Sequence, residues 1–135
     1  MMGNLKEQKV LEMPSLALAY LGDSVYELLV RQYLLSKGQW KVKALHKEAV
    51  KFVKAGSQAT VLHALETRLS EEELGVVKRG RNAKSNPPKN ADIIDYKYST
   101  ALEALFGFLY LTGKETRIKE IFNFVLEVLE TEGKN

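Results

Sequence analysis

The chain has 135 residues, with 20 lysines and arginines against 17 acids, a formal net charge of +3 and 45% hydrophobic residues. That length favours one domain spanning residues 1–135, with residues 1–12 as a flexible N-terminus, and the apolar content is ample for one core. The lack of cysteine excludes disulfides, thiolate metal sites and a cysteine nucleophile, and it fits a reducing compartment. No apolar run suits a signal peptide, and the most apolar stretch is broken by Asp23, Glu27, Arg31 and Gln32. The expectation is therefore a cytoplasmic protein with no membrane association.

Before Met13 the signal is thin: Asn4 and Glu7 stand at capping-box spacing ahead of a short helix. Pro14 suits the first turn of the next helix, which runs through SLALAYLGDSVYELLVRQYLL and ends at Gly38. This segment is apolar on nearly every face, so it is expected at the centre of the domain. Asp23 and Glu27 lie one turn apart on one side of it, and Gly22 leaves room for a close neighbour. A buried carboxylate without a partner costs several kcal/mol, so a partner is expected.

The next helix, KVKALHKEAVKFVKAGSQ, has an apolar face of Leu45, Ala49, Phe52 and Val53. Its Lys43, Lys47, Lys51 and Lys54 make a stripe that is either a solvated face or a track for a phosphate backbone. Gly56 and Ser57 are expected to break it, with a new helix over residues 59–69. His46 and His63, neither with a partner at metal-ligand spacing, read as structural or surface residues.

Ser70 and Glu73 form a capping box for a helix that starts acidic and ends basic, as its dipole prefers. The basic character continues into RNAKSNPPKN, a loop by its asparagine and proline content. Residues 74–91 hold Lys78, Arg79, Arg81, Lys84 and Lys89 and no acid. Without these five, the 20 lysines and arginines would no longer outnumber the 17 acids, so the basic surplus is local, as in a phosphate-binding patch. Lys78, Arg79, Arg81, Asn82, Lys84 and Ser85 are candidate RNA-binding donors, suited to phosphate oxygens, 2′-hydroxyls or base edges. A basic surface loop without function is the competing reading.

Asp95 then caps a second apolar helix, YSTALEALFGFLYL, with one carboxylate at Glu103 and a glycine one turn on at Gly107. Thr112 and Glu115 cap a last helix, in which Ile118, Ile121, Phe122, Val125, Leu126 and Leu129 make an apolar stripe. No strand alternation of useful length occurs, so the fold is expected to be all-α, with six or seven helices. Two apolar helices bringing acids together suggest a shared cation, and oxygen-only ligands favour magnesium, for which manganese can substitute. Neutralisation of each acid by a lysine, an arginine or a helix N-terminus is the alternative.

At these residues the sequence resembles the ribonuclease III family. YLGDSVYE is similar to the family's signature segment, and ALEALFG to its second motif. The resemblance covers roughly Leu11 to Leu129 and implies a ribonuclease III catalytic-domain-like helical bundle. It also implies that Asp23 and Glu103 are catalytic, metal-binding acids. Three other family acids are replaced here by Leu16, Ala19 and Thr100. That thinner set is similar to the mini-ribonuclease III subgroup, which has an RGRNAKS-like segment and lacks the appended double-stranded-RNA-binding domain.

The activity implied is a magnesium-dependent endoribonuclease that cuts double-stranded RNA as a symmetric homodimer, leaving 5′-phosphate and 3′-hydroxyl ends. The subgroup implies precursor 23S ribosomal RNA as substrate. Glu27, to which no family acid corresponds, is either a replacement metal ligand or, the preferred reading, a supporting residue paired with a base such as Arg31. The rival reading is a catalytically inactive helical dimer that binds RNA or a ribosomal protein.

Overall fold

The computed structural model describes residues 2–133, with side-chain surroundings described up to residue 130. Seven α-helices follow one another: α1 (Glu7–Leu11), α2 (Ser15–Ser36), α3 (Val42–Val53), α4 (Ala55–Leu65), α5 (Glu71–Asn82), α6 (Ile93–Leu111) and α7 (Glu115–Gly133), with a 3₁₀ turn at Glu66–Arg68. Among the described residues there is no strand, and no helix is long and apolar enough to cross a membrane. The fold is all-α, as the apolar periodicity implies.

The two apolar helices play unequal parts. From Ser99 to Leu109, α6 is buried at every position except Glu103, so it is the central helix. In α2, by contrast, Leu18, Ala19, Gly22, Val25, Tyr26, Val30 and Leu34 turn inward as one stripe. Leu16, Tyr20, Leu28 and Leu35 remain exposed, and Asp23 is exposed with them. This corrects the expectation of a fully buried α2 with buried acids. Uniform hydrophobicity shows that no face of a helix needs water, not which faces are covered.

Where α2 crosses α6 the backbones touch. A Cβ on Gly22 would stand 1.6 Å from the carbonyl oxygen of Glu103, and one on Gly107 would stand 2.0 Å from that of Leu18. Each helix thus gives up one side chain so that the other's main chain can approach, which fixes the register between them. Beneath this crossing Tyr26 is fully buried, its ring 5.4 Å from Phe106 and 6.2 Å from Phe122. Its hydroxyl donates to the Phe52 carbonyl at 2.9 Å, satisfying an acceptor in the last turn of α3. Burial, with the Glu103 charge second, raises the Tyr26 phenol well above its ordinary pKa, so it stays a donor.

Several helix ends differ from the sequence expectation. Pro14 is the N-cap of α2 and not a residue of its first turn, and no Asn4–Glu7 capping box forms, since α1 starts from Lys6 without a side-chain cap. Near the N-terminus, Gly3 and Leu5 donate main-chain hydrogen bonds to Tyr110 and Leu111, and Val10 is buried. Lys54, in an extended conformation, separates α3 from α4, so Gly56 and Ser57 lie in the first turn of α4 and are not the break. Asp92, not Asp95, caps α6 by accepting from the Asp95 amide at 3.0 Å. Thr112 closes α6, its hydroxyl donating to the Phe108 carbonyl at 2.8 Å, and does not open α7.

The Ser70–Glu73 capping box forms as read, with bonds of 2.9 and 3.2 Å. Burial would raise the Glu73 carboxyl, but paired donation from Arg117 at 2.8 Å and the Ser70 amide hold it below the ordinary carboxylate range. Arg117 also donates to the Arg68 carbonyl at 2.9 Å, tying α7 to the start of α5. At the other end of α5, Gly80 meets the Ala101 backbone, where a Cβ would stand 2.9 Å away.

Gly107→Ala is expected to lower stability by about 1–3 kcal/mol or more through overpacking at the α2–α6 crossing. Urea denaturation measures it, and a change below about 0.5 kcal/mol, the range of a neutral surface substitution, would show that the helices separate freely.

Candidate active site

Asp23 follows Gly22 directly on α2, and Glu103 lies one turn before Gly107 on α6, so the glycine crossing brings the two acids together. Both line an open cleft of about 300 Å³ with Leu16, Ala19, Tyr20, Ser24, Tyr96 and Thr100. Asp23 faces solvent, whereas Glu103 is half-buried. The Glu103 carboxyl is pushed up to about 8, first by burial, then by the Asp23 charge and a hydrogen bond to Asp23, with a hydrogen bond from Gln58 acting against them. Two carboxyl groups this close cannot both be charged cheaply, and a cation between them would relieve the repulsion that otherwise keeps Glu103 protonated.

The two acids therefore fit a hard divalent cation that takes one or two carboxylates and fills its other positions with water and phosphate oxygens. No third acid or histidine joins them in a metal-ligating group among the described residues. Ala19 is buried, and Thr100 turns its hydroxyl to the Tyr96 carbonyl at 3.0 Å. Glu27 lies outside this cleft. It accepts from Arg31 at 2.7 Å and borders a separate apolar groove with Val42, Leu45 and His46.

The basic candidates divide. Lys78, Arg79, Asn82 and Lys84 flank a broad groove of about 580 Å³ with Pro14, Ser15 and Leu16. Leu16 also edges the acid cleft, so groove and cleft are neighbours across that residue. Arg81 turns elsewhere, its guanidinium 5.9 Å from the centre of the Tyr98 ring, and Ser85 is half-buried. Lys43, Lys47, Lys51 and Lys54 are all exposed, and Lys51 is paired with Glu48 at 3.1 Å. None of these four lines the acid cleft. Two residues that bear on the acids had no signal in the sequence: Tyr20, almost wholly exposed on the cleft rim, and Gln58, wholly buried and acting on the Glu103 carboxyl.

Residues 16–114, which hold both acids and the basic segment, match the Ribonuclease III domain. The chain belongs to the ribonuclease III family. It is 55% identical over 118 residues to Mini-ribonuclease 3 of Brevibacillus brevis, covering 87% of this chain and 88% of that one. With Mini-ribonuclease 3 of Desulfitobacterium hafniense it shares 49% over 127 residues, covering 91% and 81%. A crystal structure of a Fusobacterium nucleatum protein superposes with a TM-score of 0.81 at 34% identity, covering 91% of this chain and 99% of that one. The match to the ribonuclease III family thus falls on the helices that carry the cleft, and the chain is an endoribonuclease of the ribonuclease III type.

The raised Glu103 carboxyl sets a pH dependence. Unfolded, this group loses its proton near the ordinary value of 4.5, whereas folded it holds the proton until about pH 8. The folded state therefore binds more protons between these limits, and stability falls as pH rises through them. In EDTA, Glu103→Gln is expected to gain stability relative to the parent as pH rises from 5 to 8.5. Melting temperatures across that range test this, and a constant difference would contradict it.

Proposed function

We propose that Asp23 and Glu103 hold magnesium, directly or through water, and that the chain thereby cleaves double-stranded RNA. The observation that carries the reading is one acid pair brought together in a cleft that borders a basic groove at Leu16. Magnesium, for which manganese can substitute, would supply an activated water and charge stabilisation at the scissile phosphate. The protein's own part is to keep both carboxylates on one side of the cleft, fixed by the Gly22–Gly107 crossing. Lys78, Arg79, Asn82 and Lys84 then hold phosphate oxygens or 2′-hydroxyls along the groove, next to the acids. Arg81, Ser85 and the lysines of α3 are assigned to the outer margin of the RNA footprint. Glu27 acts through its pair with Arg31 and does not hold the metal.

Severing a duplex takes two cuts, one per strand, so we assign the active form as a homodimer. The exposed Leu16, Tyr20, Leu28 and Leu35 of α2 give it an apolar surface to bury. The proposed substrate is precursor 23S ribosomal RNA in the cytoplasm, with the whole chain acting as one catalytic domain. Asp23→Asn and Glu103→Gln are each expected to abolish cleavage of long double-stranded RNA in magnesium while leaving duplex binding close to the parent's. Full activity in either variant would reject the metal assignment. Duplex binding with no cleavage by the parent protein would favour an inactive RNA-binding dimer, as the acid-free positions at Ala19 and Thr100 suggest.

Binding and chemistry separate in a second test. Joint replacement of Lys78, Arg79 and Lys84 by glutamine is expected to weaken duplex binding and to reduce the slope of log affinity against log salt by about 2–3, one per lost phosphate contact. An unchanged slope would transfer the grip to the lysines of α3.

A further inference from the structure

Glu103 has a buried neighbour that is not among the residues lining the acid cleft. Gln58 of α4 is 1% exposed, among Val61, Leu62 and Leu65 of its own helix. A buried primary amide in such a setting is costly unless both its oxygen and its nitrogen find partners. Its oxygen is engaged by Ser99, whose hydroxyl donates to Gln58 Oε1. Ser99 precedes Glu103 by four residues on α6, so the two face the same side of that helix, one turn apart. With the oxygen taken at Ser99, the amide N–H₂ is the end of Gln58 left for Glu103, one turn on along α6, and Gln58 pulls the Glu103 carboxyl down, as a donor beside it does. The reverse orientation would set the amide oxygen against a carboxylate oxygen, two acceptors facing each other.

We propose that Gln58 is a positioning residue, held by Ser99, that fixes the Glu103 carboxylate in the orientation needed to bind the divalent cation. The inference rests on the reading of Asp23 and Glu103 as the metal-holding pair, and it adds the reason why one of them can serve from a half-buried position. A glutamate side chain has three rotatable bonds, so the backbone crossing places Glu103 without orienting its carboxylate, and an amide anchored by Ser99 is the protein group that keeps it aimed into the cleft. Hydrogen-bond partners of metal-ligating carboxylates act in this way and typically alter metal affinity by about 10–100-fold when removed.

The test is manganese binding to the intact protein without RNA, by titration calorimetry at one pH, for the parent, Gln58→Leu, Ser99→Ala and Asp23→Asn. Asp23→Asn should lose binding. Gln58→Leu should weaken it about tenfold or more, with the melting temperature in EDTA read alongside, because the Ser99 hydroxyl left without its acceptor lowers stability on its own. Ser99→Ala, which frees the amide without removing it, should weaken binding in the same direction by less. Parent-like affinity in folded Gln58→Leu, or a lower melting temperature with unchanged affinity, would overturn the proposal and leave Gln58 as packing only. Should Gln58→Leu fail to fold, parent-like affinity in Ser99→Ala would overturn it instead. If Asp23→Asn binds manganese as the parent does, the metal-holding reading itself fails and takes this inference with it.

Discussion

The contact on which the rest of the structure depends is between two main chains. Gly22 lets the backbone of α6 reach α2, and Gly107 lets the backbone of α2 reach α6, with no room for a β-carbon on either side. Most helix pairs are spaced by side chains and can slide by repacking them. A backbone contact has no such freedom, because the atoms that touch cannot change rotamer. Asp23 and Glu103 are attached within a turn of this contact, so the placement of their α-carbons relative to each other is as rigid as the crossing itself.

That rigidity has an electrostatic cost, and the cost is the sign of the site's chemistry. Two carboxyl groups fixed next to each other, one of them half-buried, cannot both ionise cheaply, and Glu103 holds its proton to about pH 8. A structural acid of this fold is treated differently. Glu73 is buried too, yet Arg117 and the start of α5 satisfy it on both oxygens and keep it charged. Both are buried or half-buried glutamates, but one is supplied with a cationic partner and the other only with an amide and a second acid. The contrast separates an acid that maintains the fold from one left open for something the fold does not contain.

Much of the site was legible from residue order alone. The acids, the glycine beside each of them and the capping box of α5 are local patterns, and local patterns survive into structure when their partners are near in sequence. The exposure of α2 was not legible, because Leu16, Tyr20, Leu28 and Leu35 look the same to a periodicity argument as the residues that face inward. Nor was the break at Lys54, which lacks a glycine or proline and depends on a distant group, the Tyr26 hydroxyl that takes the Phe52 carbonyl. Asp92 and Asp95 offered two caps, and only the amide geometry chooses between them. Gln58 gave no sign at all, since its meaning lies in Ser99 and Glu103 on another helix.

The close approach of Gly80 to Ala101 turns α6 into a shared reference line for both halves of the proposed task. It docks the basic end of α5, between Arg79 and Arg81, two residues along α6 from Glu103. On a helix two residues advance about 3 Å along the axis and turn about 200°, so Gly80 and the Glu103 side chain meet different sides of one turn of α6. The molecule is thus built as a gauge: the basic end of α5 and the acid at Glu103 are measured from the same stretch of main chain. Motion in the loop after Lys84 leaves that stretch in place, so where a backbone is held relative to where it is cut becomes a property of α6 and not of the loop.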